Sequence, residues 1–165
     1  MFRHVEHGLS LFDGGAGGSG ELIRLWGLLV LAAAAPAGAG AQVPAAWKAN
    51  CQVCHQADGA GLPGQFPRLK GRVGPIAATP EGRAWLAAVV LNGLAGKLVV
   101  DGRTIVGVMP GFARLSDGDL AAALNHVAGK GAVKPADIAA ARKLPAGNAA
   151  LMAARAGLVT DGTVR

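Results

Sequence analysis

The chain has 165 residues, a formal charge of +6 and 52% hydrophobic residues, with four Phe, three Trp and no Tyr. That length suggests one domain, and so large an apolar share excludes a disordered chain, which lacks the surface to bury. The basic residues are scattered and no nucleic-acid motif accompanies them, so the positive charge points away from nucleic acid.

Residues 22–41 run from Arg24 through an apolar stretch, Leu25 to Ala35, into small residues, which is the order of a secretory signal. The apolar stretch of 11 residues falls short of the ~20 that span a bilayer. The expectation is export to the periplasm with cleavage after Ala41, Ala39 and Ala41 filling the small-residue positions; an uncleaved N-terminal membrane anchor is the alternative. Residues 1–20, with a glycine cluster at 14–20, read as neither signal nor fold, as expected of a start codon assigned upstream of the true one. From residue 42 onward 14 Lys or Arg stand against 7 Asp or Glu. Such a surplus steers encounter with an acidic protein patch or an anionic membrane face. The expected organisation is therefore an extension and signal over 1–41, a main domain over 42–133 and an Ala-rich helical tail over 134–165.

Along the mature chain, Trp47 to Gln52 ends a short helix that starts near Pro44. Asp58 to Gly64, with three glycines and a proline, is loop. Thr79-Pro80-Glu81 is a helix start, and Trp85, Leu86, Val89 and Val90 give that helix a one-sided apolar face as far as Gly93. Leu98 to Val100 and Arg103 to Val106 flank Asp101-Gly102, a pair that predicts a β-hairpin, with Met109-Pro110 in the loop that follows. Ser116 caps a last main helix that runs to Gly129. Beyond Pro135 come two Ala-rich helical pieces, about 137–143 and 148–156.

The two cysteines carry the chemistry: Cys51-Gln52-Val53-Cys54-His55. Covalent haem attachment needs two thiols that reach two vinyl groups and an imidazole beside the second thiol, and this spacing supplies all three. A disulfide is the first alternative, but redox Cys-x-x-Cys pairs sit on a βαβ pattern that is not visible here. Half of a zinc site is the second, and the mature chain offers only His126 as a further His or Cys ligand. A buried porphyrin would also supply core volume to a chain so poor in aromatics, although a GC-rich codon bias gives the same composition.

With these residues in place the chain resembles the class I cytochrome c family from about Ala45 to Gly129. The matching stretches are Cys51 to Leu62, Phe66-Pro-Arg-Leu-Lys-Gly, Gly107-Val-Met-Pro-Gly-Phe, and Leu115-Ser-Asp-Gly-Asp-Leu through Leu124-Asn-His-Val. The resemblance implies an all-α, compact cytochrome c fold: three main helices around one covalently bound haem c, with a small β-ribbon before an axial Met. It implies an electron carrier rather than an enzyme, soluble or the cytochrome part of a larger redox complex; a haem enzyme or gas-binding protein with an open iron site is the alternative. Iron would be held by His55 and Met109, the Pro67 carbonyl would orient the His55 ring, and Leu69 and Phe66 would press on the haem. Met109 and Met152 are the only mature methionines, and Met152 lies in the tail outside the resemblance. Gly59 and Gly61 would take positive φ near the ring. Two positions depart from the family pattern, Trp47 in place of Tyr and His126 in place of an aromatic that packs the last helix on the first; His126 reads as a packing residue and not a ligand. Arg68, Lys70 and Arg72 would pair with a haem propionate or ring its edge toward a redox partner with an acidic patch, including a membrane-associated donor or acceptor; a solvated loop face is the alternative.

Overall fold

The structure, a computed structural model, describes residues 42–144 and 146–164; the signal and cleavage site expected within 22–41 lie outside them. About half of the described residues are helical and two strands form one small sheet, an arrangement consistent with a cytochrome c fold. Helix α1 (Ala45–Asn50) runs through Cys51 into α2 (Gln52–His55). After a long loop come α3 (Val73–Ala77) and α4 (Pro80–Asn92), then β1 (Leu94–Val100) and β2 (Arg103–Met109), and then α5 (Asp117–Ala128), α6 (Pro135–Arg142) and α7 (Asn148–Thr160).

Local chemistry sets most of these bounds. The Thr79 hydroxyl accepts from Gly82 N and Pro80 takes the first helical position of α4, where its missing N–H costs nothing. Gly93 ends that helix at φ 81°. Ser116 caps α5 by accepting from Asp119 N. Asp101 and Gly102, both at positive φ, make the two-residue turn between β1 and β2, a backbone twist that matches the strands.

Burial then differs from the sequence pattern in three places. Helix α4 is not one-sided: Leu86, Ala87 and Leu91 enter a core shared with α3, α5 and α6, while Val89 joins Leu94 and Leu151 in a second cluster. The Ala-rich tail folds back on both clusters: Ile138, 0% exposed, Leu158 and Val164 enter the main core, and Leu151 enters the second. The ribbon is longer than its β-branched runs, and Met109 is the last residue of β2, paired with Leu94, rather than part of the following loop. Helix α3 has no sequence signal, since Gly74 and Pro75 oppose helix locally; burial of Val73, Ile76 and Ala77 holds it.

Since Ile138 lies in the main core, Ile138→Ala should lower the unfolding free energy by about 2–5 kcal/mol, whereas Val159→Ala, at a position 45% exposed on α7, should change it by less than about 0.5 kcal/mol. Denaturant titration of both variants checks the contrast. Equal midpoints would mean that the tail is not part of the cooperative unit.

Candidate functional site

The turn of chain from Cys51 to His55 is closed by the His55 amide donating to the Cys51 carbonyl at 2.9 Å. Positions 51, 54 and 55 therefore share one side of a helical turn, with both thiols half-buried and unpaired and the imidazole buried. Burial pushes the Cys51 thiol up, with the neighbouring Cys54 adding to the shift. Burial likewise holds the His55 ring below the ordinary histidine range, opposed in part by its bond to Pro67. The ring is neutral at neutral pH, the form that a metal can share.

Which nitrogen is bare follows from the loop. His55 Nδ1 lies 3.0 Å from the Pro67 carbonyl; a carbonyl only accepts, so Nδ1 carries the proton and Nε2 has the free lone pair. Among the described residues nothing in the protein bonds Nε2. The carbonyl is held by a folded loop: the Leu62 and Phe66 amides donate to each other's carbonyls at 2.9 and 2.8 Å, and the Leu69 and Lys70 amides both donate to Gly59 O. Gly59 and Gly61 stand at φ 79° and 67°. A Cβ on Gly61 would lie 2.6 Å from Phe66 O and 2.7 Å from Pro67 O, so glycine is required for the close approach. Leu69 and Phe66 are half-buried, Leu69 against the main core. A recess lined by Phe66, Pro67, Val100 and Ile105 lies between this loop and the ribbon.

Met109 is half-buried and packs against both clusters. Its backbone runs so close to the end of α4 that a Cβ on Gly93 would overlap Met109 O, and one on Gly111 would lie 2.6 Å from Leu91 O. Phe112 N then donates to Val90 O at 2.8 Å. The segment carrying the thioether is thus fastened on both sides. Met152 packs against the second cluster as well, a proximity that no local pattern in the sequence signals.

Two free thiols three positions apart, with a bare imidazole nitrogen beside the second, are what attachment to two vinyl groups and ligation of one iron require, so these residues fit a haem c.

Trp47 and His126 join the two ends of the domain. Trp47 is 2% exposed, its ring centroid 4.8 Å from that of His126. The indole N–H donates to Gln56 O, and His126 Nε2 donates to Ala57 O at 2.7 Å. The turn after His55 is therefore anchored from α1 and α5 together. Arg68, Lys70 and Arg72 have acid partners on the protein itself: Arg68 grips Asp101 with two nitrogens at 2.9 Å, Arg72 reaches the same carboxylate at 3.1 Å, and Lys70 pairs with Asp58. The guanidinium of Arg68 holds the Asp101 carboxyl below the usual carboxylate range.

Sequence comparison points the same way. Residues 38–127 match the family described as cytochrome c oxidase, cbb3-type, subunit III. Two proteins named cytochrome c-552, both from Thermus thermophilus, are each 49% identical over 80 residues, or 48% of this chain. The chain covers 61% and 54% of their lengths, so it spans somewhat over half of the relatives it matches.

Gly61→Ala should displace the Pro67 carbonyl and cost about 1–3 kcal/mol through the positive φ alone. Denaturant unfolding reads the cost, and the proton NMR signal of His55 Nδ1–H reads the displacement. An unchanged midpoint with an unchanged signal would mean that the glycine loop does not hold the carbonyl.

Proposed function

Because the chain belongs to the monohaem c-type cytochromes, which carry haem c covalently on a Cys-x-x-Cys-His segment, we propose that Cys51 and Cys54 hold that haem, that His55 and Met109 are its axial ligands, and that the protein is a periplasmic one-electron carrier. The observation that carries this reading is the His55–Pro67 bond, which leaves a bare, neutral Nε2 in the same helical turn as two free thiols. When bound, the haem supplies a ferrous/ferric couple whose potential is set by axial ligands, hydrogen bonding and burial.

The protein's own residues do the rest. Pro67 O keeps Nδ1 protonated, which raises the basicity of the other nitrogen and fixes the ring against rotation. Met109 presents a soft thioether, which would favour ferrous iron and would leave no iron position for a peroxide or gas. Phe66 and Ile105 line the apolar side of the recess beside Pro67. Electrons pass to and from protein partners, with the chain acting as a free carrier or as the cytochrome subunit of a dehydrogenase or oxidase complex. With Arg68, Lys70 and Arg72 paired internally, the cations left to meet an acidic partner include Lys97 and Arg103 on the ribbon, which make no ion pair among the described residues.

In the oxidised protein Met109→Ala should abolish the weak absorption band near the red edge of the visible spectrum that marks sulfur–iron bonding, lower the potential and open the iron to carbon monoxide in the reduced form. Met152→Leu should leave all three unchanged. A band that survives Met109→Ala and disappears only when Met152 is also replaced would assign the ligand to Met152 instead.

A further inference from the structure

The two tail helices lie outside residues 38–127, the stretch that matches the family, yet they grip the polypeptide on either side of Met109. At the start of α7 the Asn148 carboxamide accepts from Ala95 N at 2.7 Å and donates to Ala95 O at 2.9 Å. An amide that satisfies both backbone groups of one strand residue acts as a one-residue neighbouring strand. Because both groups of Ala95 face outward, its pairing with Val108 is the non-hydrogen-bonded kind, which makes the adjacent Leu94–Met109 pair the hydrogen-bonded one. Asn148 therefore fastens the open edge of β1 one residue away from the partner of Met109. Farther along α7, Arg155 donates to Val99 O at 3.0 Å on that same edge. Seven helical residues advance about 10 Å and four strand residues about 13 Å, so one straight helix reaches both points with the arginine making up the difference. Between them Leu151 is buried in the cluster against which Met109 packs, and its carbonyl accepts from the Trp85 indole at 3.0 Å. Helix α6 holds the other flank: Arg142 donates to Ala113 O and Asp117 Oδ1, each at 2.6 Å, and also to Leu115 O.

We infer that the tail is a clamp that positions Met109, with Asn148 and Leu151 of α7 fixing the strand before it and Arg142 of α6 fixing the loop after it. These are positioning residues and none need touch the haem. The inference rests on the proposed ligation by Met109 and adds what keeps the thioether in place: sulfur–iron bonds are weak enough to be lost when the ligand segment gains other conformations, and fastening the ribbon removes those conformations.

The test uses the full-length oxidised holoprotein titrated with imidazole, a ligand that competes with the thioether and extinguishes the red-edge band. Asn148 is exposed, so Asn148→Ala should fold normally and bind imidazole about tenfold more tightly, as two lost hydrogen bonds shift the closed–open population. Arg142→Ala should act in the same direction. Leu158→Ala, which opens the main core beneath the same helix and leaves the side chains that bond to the ribbon in place, is the control: it should lower the unfolding midpoint and leave imidazole affinity near that of the parent. The clamp is overturned if Asn148→Ala leaves the affinity unchanged while Met109→Ala abolishes the band, or if Leu158→Ala raises the affinity as much as Asn148→Ala does. Persistence of the band in Met109→Ala would overturn the ligand assignment and the clamp together.

Discussion

The hydrogen bond between His55 Nδ1 and the Pro67 carbonyl is the constraint from which the site follows. A buried histidine has two nitrogens to satisfy and can be neutral in either of two tautomers. Giving Nδ1 a fixed acceptor settles which nitrogen is bare and which way it points. The conformation of residues 56–70 serves that end: positive φ at Gln56, Gly59 and Gly61, the Leu62–Phe66 bridge, and two amides on Gly59 O all bring the chain back so that a carbonyl 12 residues later meets the ring. The Trp47–His126 contact holds the start of the same loop, which ties the first and last main helices to the tautomer of one side chain.

The rest of the molecule reflects a shortage of large side chains. With four Phe, three Trp and no Tyr in the chain, a core of this size is built from Val, Leu, Ile and Ala on several layers of helix. Helix α4 is the centre of that arrangement, apolar on two sides because Leu86, Ala87 and Leu91 share a core with α3, α5 and α6, while Val89 meets Leu94 of β1 and Leu151 of α7. The charged residues are spent partly in the same way. Asp101 at the ribbon turn gathers Arg68 and Arg72, the latter only 12% exposed, and so joins the proline loop to the strands. Exposed ion pairs contribute little singly, but a bidentate arginine fixes geometry as well as energy.

Much of this was legible in the sequence where the signal is local. The hydroxyl caps Thr79 and Ser116, the Asp101-Gly102 turn and the glycines of the 58–64 loop each dictate backbone geometry within a few residues, and the structure has each of them. The thiol–thiol–imidazole spacing is equally local, and it is what identifies the cofactor. What was not legible depends on partners far along the chain. Helix α3 contains Gly74 and Pro75 and exists through burial. Met109 reads as loop because Pro110 follows it, but its pairing with Leu94 extends the strand. Arg68 and Arg72 read as partners of a haem propionate or a redox protein, or else as a solvated loop face, and their partner Asp101 lies 33 and 29 residues away. Asn148 resembles any helix-start asparagine, and its bonds to Ala95 cross 53 residues.

The central claim is that one thioether, that of Met109, lies on the iron opposite His55. Proton NMR of the reduced, diamagnetic holoprotein with methyl-labelled methionine reads this directly, because a methyl held over the porphyrin face is shifted far upfield by the ring current. The account predicts one such methyl, assigned to Met109, with the Met152 methyl at an ordinary position. An upfield methyl belonging to Met152, or no upfield methyl at all, would contradict it.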